Sequence, residues 1–330
     1  MFLPTRPMGT RGTALTTVGL GAWAMGGQGW ADAWGPQEDG DSVATIRRAV
    51  DLGINWIDTA PIYGHGHSEE VVGRALADRP PPERPLVFTK CGVLWDDADH
   101  FAPPALDMRG LRSQVEGSLR RLGTDRLDLL QVHAPARLGP PLEEYWAEMV
   151  SLREEGTVAA IGLSNHDVTQ LEVAERIGHV DTLQPPMSLL RRDAGADVLP
   201  WCAAHGTAVI CYSPLESGLL SGAYTSERID ALPPDDWRRT SPRFQPDALT
   251  RTDRLVSVLR PIADRLGVSV AAVAIGWVLA WPGVTGAIVG ARRPDQVKDW
   301  PAAAGVTLEP SDLDTIAAAL DGVGSGPVRP

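Results

Sequence analysis

Four residues whose side chains can hold or move a proton stand at or just past the ends of apolar runs. They are Asp58 in NWIDTA, Lys90 in LVFTK, His133 in LDLLQVH, and Tyr63, five residues after Asp58. Only two of the 30 basic residues are lysines, Lys90 and Lys298, so arginine serves wherever a generic surface cation is needed. A compact ammonium whose pKa responds to burial and to partners is expected at Lys90 for a reason of its own.

Three chemistries suit such a set. A metal site would join Asp58 and His133 with His65 or His67. Barrel hydrolases, however, place ligands at short spacing such as HxH on their first strand, and the HGH here lies in a loop ahead of a helix. No metal is expected. A Schiff-base lysine is the second option, since Lys90 ends a strand. Asp58, one strand earlier at the same height, would pair with the ammonium and keep it protonated, which removes it as a nucleophile. A permanent cation instead stabilises phenolate, and should bring the Tyr63 phenol down from its usual pKa of about 10 toward the working range. With His133 donating to a substrate oxygen from the opposite wall, one proton reaches a carbonyl oxygen without metal or covalent intermediate. That points to hydride transfer from a nicotinamide cofactor.

The elements that must position these residues repeat along the chain. A charged amphipathic segment ends in Gly, and a short β-rich apolar run follows, as in RRAVDLG-INWIDTA, LRRLG-TDRLDLLQVH, SLREEG-TVAAIGLSN, AERIG-HVDTLQPP and CAAHG-TAVICYSP. Each Gly suits the left-handed position that closes a helix. In the helical halves Leu111, Val115, Leu119 and Leu122 form one stripe, and Leu142, Tyr145, Trp146, Met149 and Leu152 another. The runs beyond are apolar nearly throughout, as expected of strands buried on both faces of a parallel sheet. Strands are expected near 16–21, 55–58, 86–90, 127–132, 158–163, 181–184, 208–212 and 286–289. Eight such units are the tally of an α/β protein of the (β/α)8 TIM-barrel type, with catalytic groups at the C-terminal strand ends. An open doubly wound sheet is the competing architecture. Its Gly-rich turn should open a helix, whereas GLGAWAMGGQG runs on into the loop WADAWGPQEDG.

At 330 residues, with 43% apolar and 22% charged residues, the chain can bury one large core, so 1–330 is read as a single barrel domain. Residues 217–250 are polar, Pro-rich and expected to form a long loop over the mouth, and 91–107 could wall a pocket. A net charge of -12 argues against nucleic acid as a partner, and no apolar stretch suggests a membrane span. Three cysteines form neither a disulfide framework nor a zinc set. A cytoplasmic protein, monomeric or weakly self-associating, is expected.

Five ordered segments resemble the aldo-keto reductase family, nearest its bacterial and channel-subunit-like branch: GINWIDTAPIYGHGHSEEVVGRAL with LVFTK, LDLLQVHAP, GLSNH, VICYSPLESGLL and GAIVGARRPDQVKDW. The resemblance implies NAD(P)H-dependent carbonyl reduction in a (β/α)8 barrel, with catalytic roles on Asp58, Tyr63, Lys90 and His133. It also implies that Ser164, Asn165 and Gln184 bind the nicotinamide carboxamide and that Tyr212 stacks on its ring. Backbone donors of Ser213, Leu215, Gly218 and Leu220 would meet the pyrophosphate. Gly290, Arg292, Gln296 and Asp299 would meet the adenosine end, with Arg292 or Arg293 inclining the cofactor to NADPH over NADH. The family commonly has Asn where this chain has Trp300, which leaves the adenine amino contact to be lost or replaced by stacking. Trp30 and Trp34 on the first mouth loop, with Trp95, are expected to line a pocket for an apolar or ring-bearing carbonyl compound. The alternative function is a cofactor-binding regulatory or interaction subunit with little turnover.

Overall fold

Eight parallel strands close into a barrel: β1 Val18–Gly21, β2 Trp56–Asp58, β3 Leu86–Cys91, β4 Leu129–Val132, β5 Ile161–Ser164, β6 Thr182–Gln184, β7 Ala208–Cys211 and β8 Val284–Gly290, with β8 pairing back onto β1. The computed structural model describes residues 3–96, 105–232 and 236–330. Helices follow the strands: α1 Asp39–Asp51, α2 His67–Leu76, α3 Leu111–Leu122, α4 Leu142–Glu154, α5 Val168–Ile177 and α6 Val198–His205, then α7 Pro246–Leu266 with α8 Val270–Leu279 before β8. Strand bounds differ from the sequence expectations by at most three residues. Every residue of β1, β2, β4, β5, β6 and β7 is buried, because helices cover the outer face and side chains fill the inner one.

The barrel's lower interior is apolar. Trp56, Phe88, Leu129, Ala160, Ala208, Ile210 and Ile288 pack there over Met8 and Leu15. Trp56 stacks on Phe88 at 5.3 Å, and its Nε1 donates to the Thr16 carbonyl at 2.7 Å. Gly19 and Gly286 make room for the indole: a Cβ on Gly19 would stand 2.2 Å from a Trp56 ring carbon. Beneath lies a hairpin of Thr5–Pro7 and Ala14–Thr16, so Thr16 belongs to the floor and not to the first barrel strand. Its three-residue strands are too short to leave a pattern in sequence. Arg11 on the hairpin meets the buried Asp181 carboxylate at 2.8 Å, and Arg153 of α4 meets it at 3.1 Å.

Four of the five helix-closing glycines, Gly53, Gly123, Gly156 and Gly206, have the expected positive φ. Gly178 does not: its φ is -174°, and glycine is needed because a Cβ would lie 2.5 Å from Val150. Residues 217–250 are also more ordered than a loop. They hold the helix Ser226–Asp230, short 3-10 turns at Trp237–Arg239 and Pro242–Phe244, and the start of α7, gathered on Leu219, Tyr224, Ile229, Phe244 and Leu249. Residues 233–235 of this segment, and 97–104 of the expected pocket wall, lie outside the described residues. Among the described residues, no single helix is long and apolar enough to cross a membrane.

Candidate active site

Alternation along each strand decides what faces inward. In β3, Phe88 and Lys90 share the inner face; in β4, Leu129 and Gln131 do, with His133 next in phase. Above the apolar floor this alternation produces a polar layer at the C-terminal strand ends, where barrel side chains converge.

Lys90 is buried there, and its ammonium has three acceptors for three N–H groups: Asp58 Oδ2 at 2.6 Å, the Thr59 carbonyl at 2.9 Å and the Tyr63 hydroxyl at 3.3 Å. Burial alone would lower its pKa, but Asp58 and Tyr63 outweigh it, and the net shift is upward. Lys90 is a fixed cation. Burial raises the Tyr63 phenol, Lys90 pulls it down, and the net shift is upward. This corrects the expectation that Lys90 brings the phenol toward neutrality. Tyr63 is enclosed by Trp23 at 6.3 Å, Trp30 at 6.5 Å and His133 at 5.8 Å between ring centroids, and that enclosure penalises phenolate more than the ammonium favours it. Burial, then the nearby Lys90 charge, pushes His133 down to about 3, so the imidazole is neutral and able to act by hydrogen bonding, not as a charge. Its Nδ1 is buried without a partner. A buried N–H lacking an acceptor is the costlier arrangement, so the ring proton belongs on Nε2.

The next ring of residues is joined to these. The Asn165 amide nitrogen donates to the His133 carbonyl at 2.9 Å and to Ser164 Oγ at 3.1 Å, while Tyr212 donates to Asn165 Oδ1 at 2.8 Å. Ser164 Oγ donates to the Gln184 carbonyl at 2.9 Å. Gln184 Nε2 donates to Asp58 Oδ1 at 2.9 Å and to Gln131 Oε1 at 2.8 Å. After β7 the backbone turns through four residues of positive φ, Ser213, Glu216, Ser217 and Gly218. Two donors expected to face outward are used internally, for the N–H groups of Gly218 and Leu220 both donate to the Leu215 carbonyl. Those of Ser213 and Leu215 have no partner among the described residues.

Beyond β8, Gly290 is exposed at the strand end, and Gln296 Oε1 accepts from the backbone N–H groups of Arg292 and Arg293. Arg292 donates to Gln37 Oε1 at 2.8 Å and to the Pro36 carbonyl, and Arg293 pairs with Asp295 at 3.1 Å. Asp299 precedes the short helix Trp300–Ala304 without a side-chain cap. Trp300 is buried in the main core, which argues against adenine stacking and for the other alternative, loss of the contact.

Trp30 lies near Tyr63 and His65, and Trp95 stacks on His65 at 5.2 Å. Trp34 sits further out, against Trp23, Trp237 and the Arg238 guanidinium. Sequence reasoning missed Trp23 and Gln131. Both had a signal: Trp23 comes two residues after the end of the first strand, and Gln131 is two residues before His133, on the same face of β4. Among the described residues no cluster of His, Cys, Asp or Glu could hold a metal.

The chain matches the aldo/keto reductase family over residues 17–321 and belongs to that family. It is 36% identical to the aldo-keto reductase YhdN of Bacillus subtilis, over 97% of this chain and 94% of that protein. It is 32% identical to the NADH-specific methylglyoxal reductase of Escherichia coli, over 93% and 95%. Among solved structures, the glycerol dehydrogenase AKR11B4 from Gluconobacter oxydans superposes with a TM-score of 0.87 at 36% identity, covering 99% of this chain and 97% of that one. An aldo/keto reductase from Klebsiella pneumoniae in complex with NADP and acetate superposes with a TM-score of 0.73 at 26% identity, over 98% and 97%.

Proposed function

We propose that residues 1–330 form one catalytic unit that reduces an aldehyde or ketone to an alcohol, reversibly, with NADPH. The observation that supports this most is the buried chain Asp58–Lys90–Tyr63 with His133 edge-on to the phenol, at the open end of the barrel.

The residues fit a nicotinamide dinucleotide. Gln184 Oε1 has no partner among the described residues, Tyr212 offers a half-buried ring, and the unpartnered N–H groups of Ser213 and Leu215 suit a diphosphate without adding charge. When bound, the cofactor supplies a hydride to the carbonyl carbon. Tyr63 supplies the proton to the carbonyl oxygen. Lys90 donates to the phenol oxygen, which leaves the Tyr63 hydrogen aimed elsewhere and stabilises negative charge as the proton departs. His133, held neutral, donates from Nε2 to the same oxygen and orients the substrate. Asp58 fixes Lys90, and the aromatic collar of Trp23, Trp30 and Trp95 favours an apolar or ring-bearing carbonyl compound.

The test is consumption of NADPH absorbance with a panel of small, aliphatic and aromatic aldehydes and ketones. Turnover on at least one is expected. Tight nucleotide binding with no turnover on any would favour a cofactor-binding subunit instead.

A further inference from the structure

Beneath Gln184 lie two polar side chains, Gln131 and Thr182, that the set Asp58, Tyr63, Lys90 and His133 does not use. Lys90, Gln131, Gly162 and Thr182 are register partners on the four successive strands β3 to β6, so they share the inner face of the barrel side by side. Gln131 is fully buried. Its Nε2 donates to Thr182 Oγ1 at 3.0 Å, and its Oε1 accepts from Gln184 Nε2 at 2.8 Å. Gly162 makes the space, since a Cβ there would stand 2.1 Å from Thr182 Oγ1 and 3.2 Å from Gln131 Cγ.

The consequence is a fixed amide. Asp58 Oδ1 accepts one hydrogen of Gln184 Nε2, and Gln131 accepts the other. With both hydrogens engaged, Gln184 has only its oxygen to offer upward, and a buried amide flips only by breaking two hydrogen bonds at once. We propose that Gln131 is a positioning residue, which together with Thr182 holds Gln184 as a pure hydrogen-bond acceptor and so selects a nicotinamide whose carboxamide presents N–H. The inference rests on the nucleotide reading above. Without Gln131, one Gln184 N–H is left buried and unpaired, and the amide turns to find an acceptor, abandoning its orientation toward the cofactor.

The probe is a pair of nucleotides: NADPH, and its 3-acetylpyridine analogue, which keeps the carbonyl but has no N–H. Dissociation constants are read from quenching of tryptophan fluorescence, without turnover. The parent should bind NADPH about fivefold more tightly than the analogue, the worth of one neutral hydrogen bond. In Gln131→Leu the ratio should fall below about twofold. Thr182→Val should lower it as well, while Thr182→Ser, which keeps the hydroxyl, should retain it; this pair serves if the Leu variant fails to fold. A parent that discriminates, with variants that keep the full ratio or weaken both nucleotides equally, overturns the role of Gln131 alone. A parent that binds neither nucleotide overturns the nucleotide reading and this inference with it.

Discussion

The Lys90 ammonium donates to the Tyr63 hydroxyl across 3.3 Å, and the same ammonium lies 5.2 Å from the centre of the phenol ring. Because Lys90 already has Asp58 and Thr59 as acceptors, it does not depend on Tyr63 for its charge. Tyr63→Phe should therefore leave the rest of the site in place. Turnover should drop on the order of a hundredfold or more while the nucleotide dissociation constant changes little. Steady-state rates on the best aldehyde, beside a fluorescence titration, check this; a variant as fast as the parent removes Tyr63 as the acid.

Arg292 is expected to favour NADPH, but part of its guanidinium is engaged by Gln37 and Pro36. A phosphate contact from the remaining edge should be worth about 1.5 kcal/mol, or roughly tenfold for NADPH over NADH. Arg292→Ala should lose affinity for NADPH selectively. Equal losses for both nucleotides would make Arg292 an anchor for the loop at Pro36 and nothing more.

His166 gives the fold a pH dependence of definite sign. Its Nδ1 meets the Ser164 carbonyl at 2.8 Å and its Nε2 faces the Tyr145 hydroxyl at 3.4 Å, the pattern of a neutral ring. Burial pushes its pKa down to about 4. The unfolded chain, with an ordinary pKa of about 6.5, then binds more protons than the folded one between these values. The stability this ring contributes is full above about pH 6.5 and declines as pH falls toward 4, by on the order of 2 to 3 kcal/mol. Buried His133 acts in the same direction. Urea unfolding at pH 7 and pH 4.5 should show a smaller decline in His166→Gln than in the parent; equal declines would exonerate this ring.

Gly19→Ala tests the floor. The added methyl would meet the Trp56 ring at 2.2 Å, and Trp56 is also stacked on Phe88, so relief requires the indole to shift within a packed floor. A loss of about 1 to 3 kcal/mol or more is expected in urea unfolding, against little effect from Gly40→Ala, where a Cβ meets nothing within 4 Å. An equally stable Gly19→Ala protein would mean that the indole can shift.

The barrel and the convergence of Asp58, Tyr63, Lys90 and His133 were legible because both follow from one feature, apolar runs buried on two faces and ending in a polar residue. Asp58, Lys90 and His133 occupy such ends, and Tyr63 lies a short turn beyond one. Less legible were features set by contacts between distant segments. The net upward shift of Tyr63 depends on rings contributed by Trp23, Trp30 and His133, which no local spacing reveals. Arg292 looked free in IVGARRP because its partners lie some 255 residues earlier in the chain. Trp300 looked like a substitution at a ligand contact, yet burial places it in the core.

The packing of Trp56 over Met8 and Leu15 gives the barrel a solid apolar base. That base is filled by apolar side chains, while Trp23, Trp30 and Trp95 stand beside Tyr63 and His65 at the polar end. A carbonyl compound of the kind proposed would meet these indoles on its way to Tyr63. On the proposed reading, passage of these rings rather than proton transfer at Tyr63 would pace the cycle.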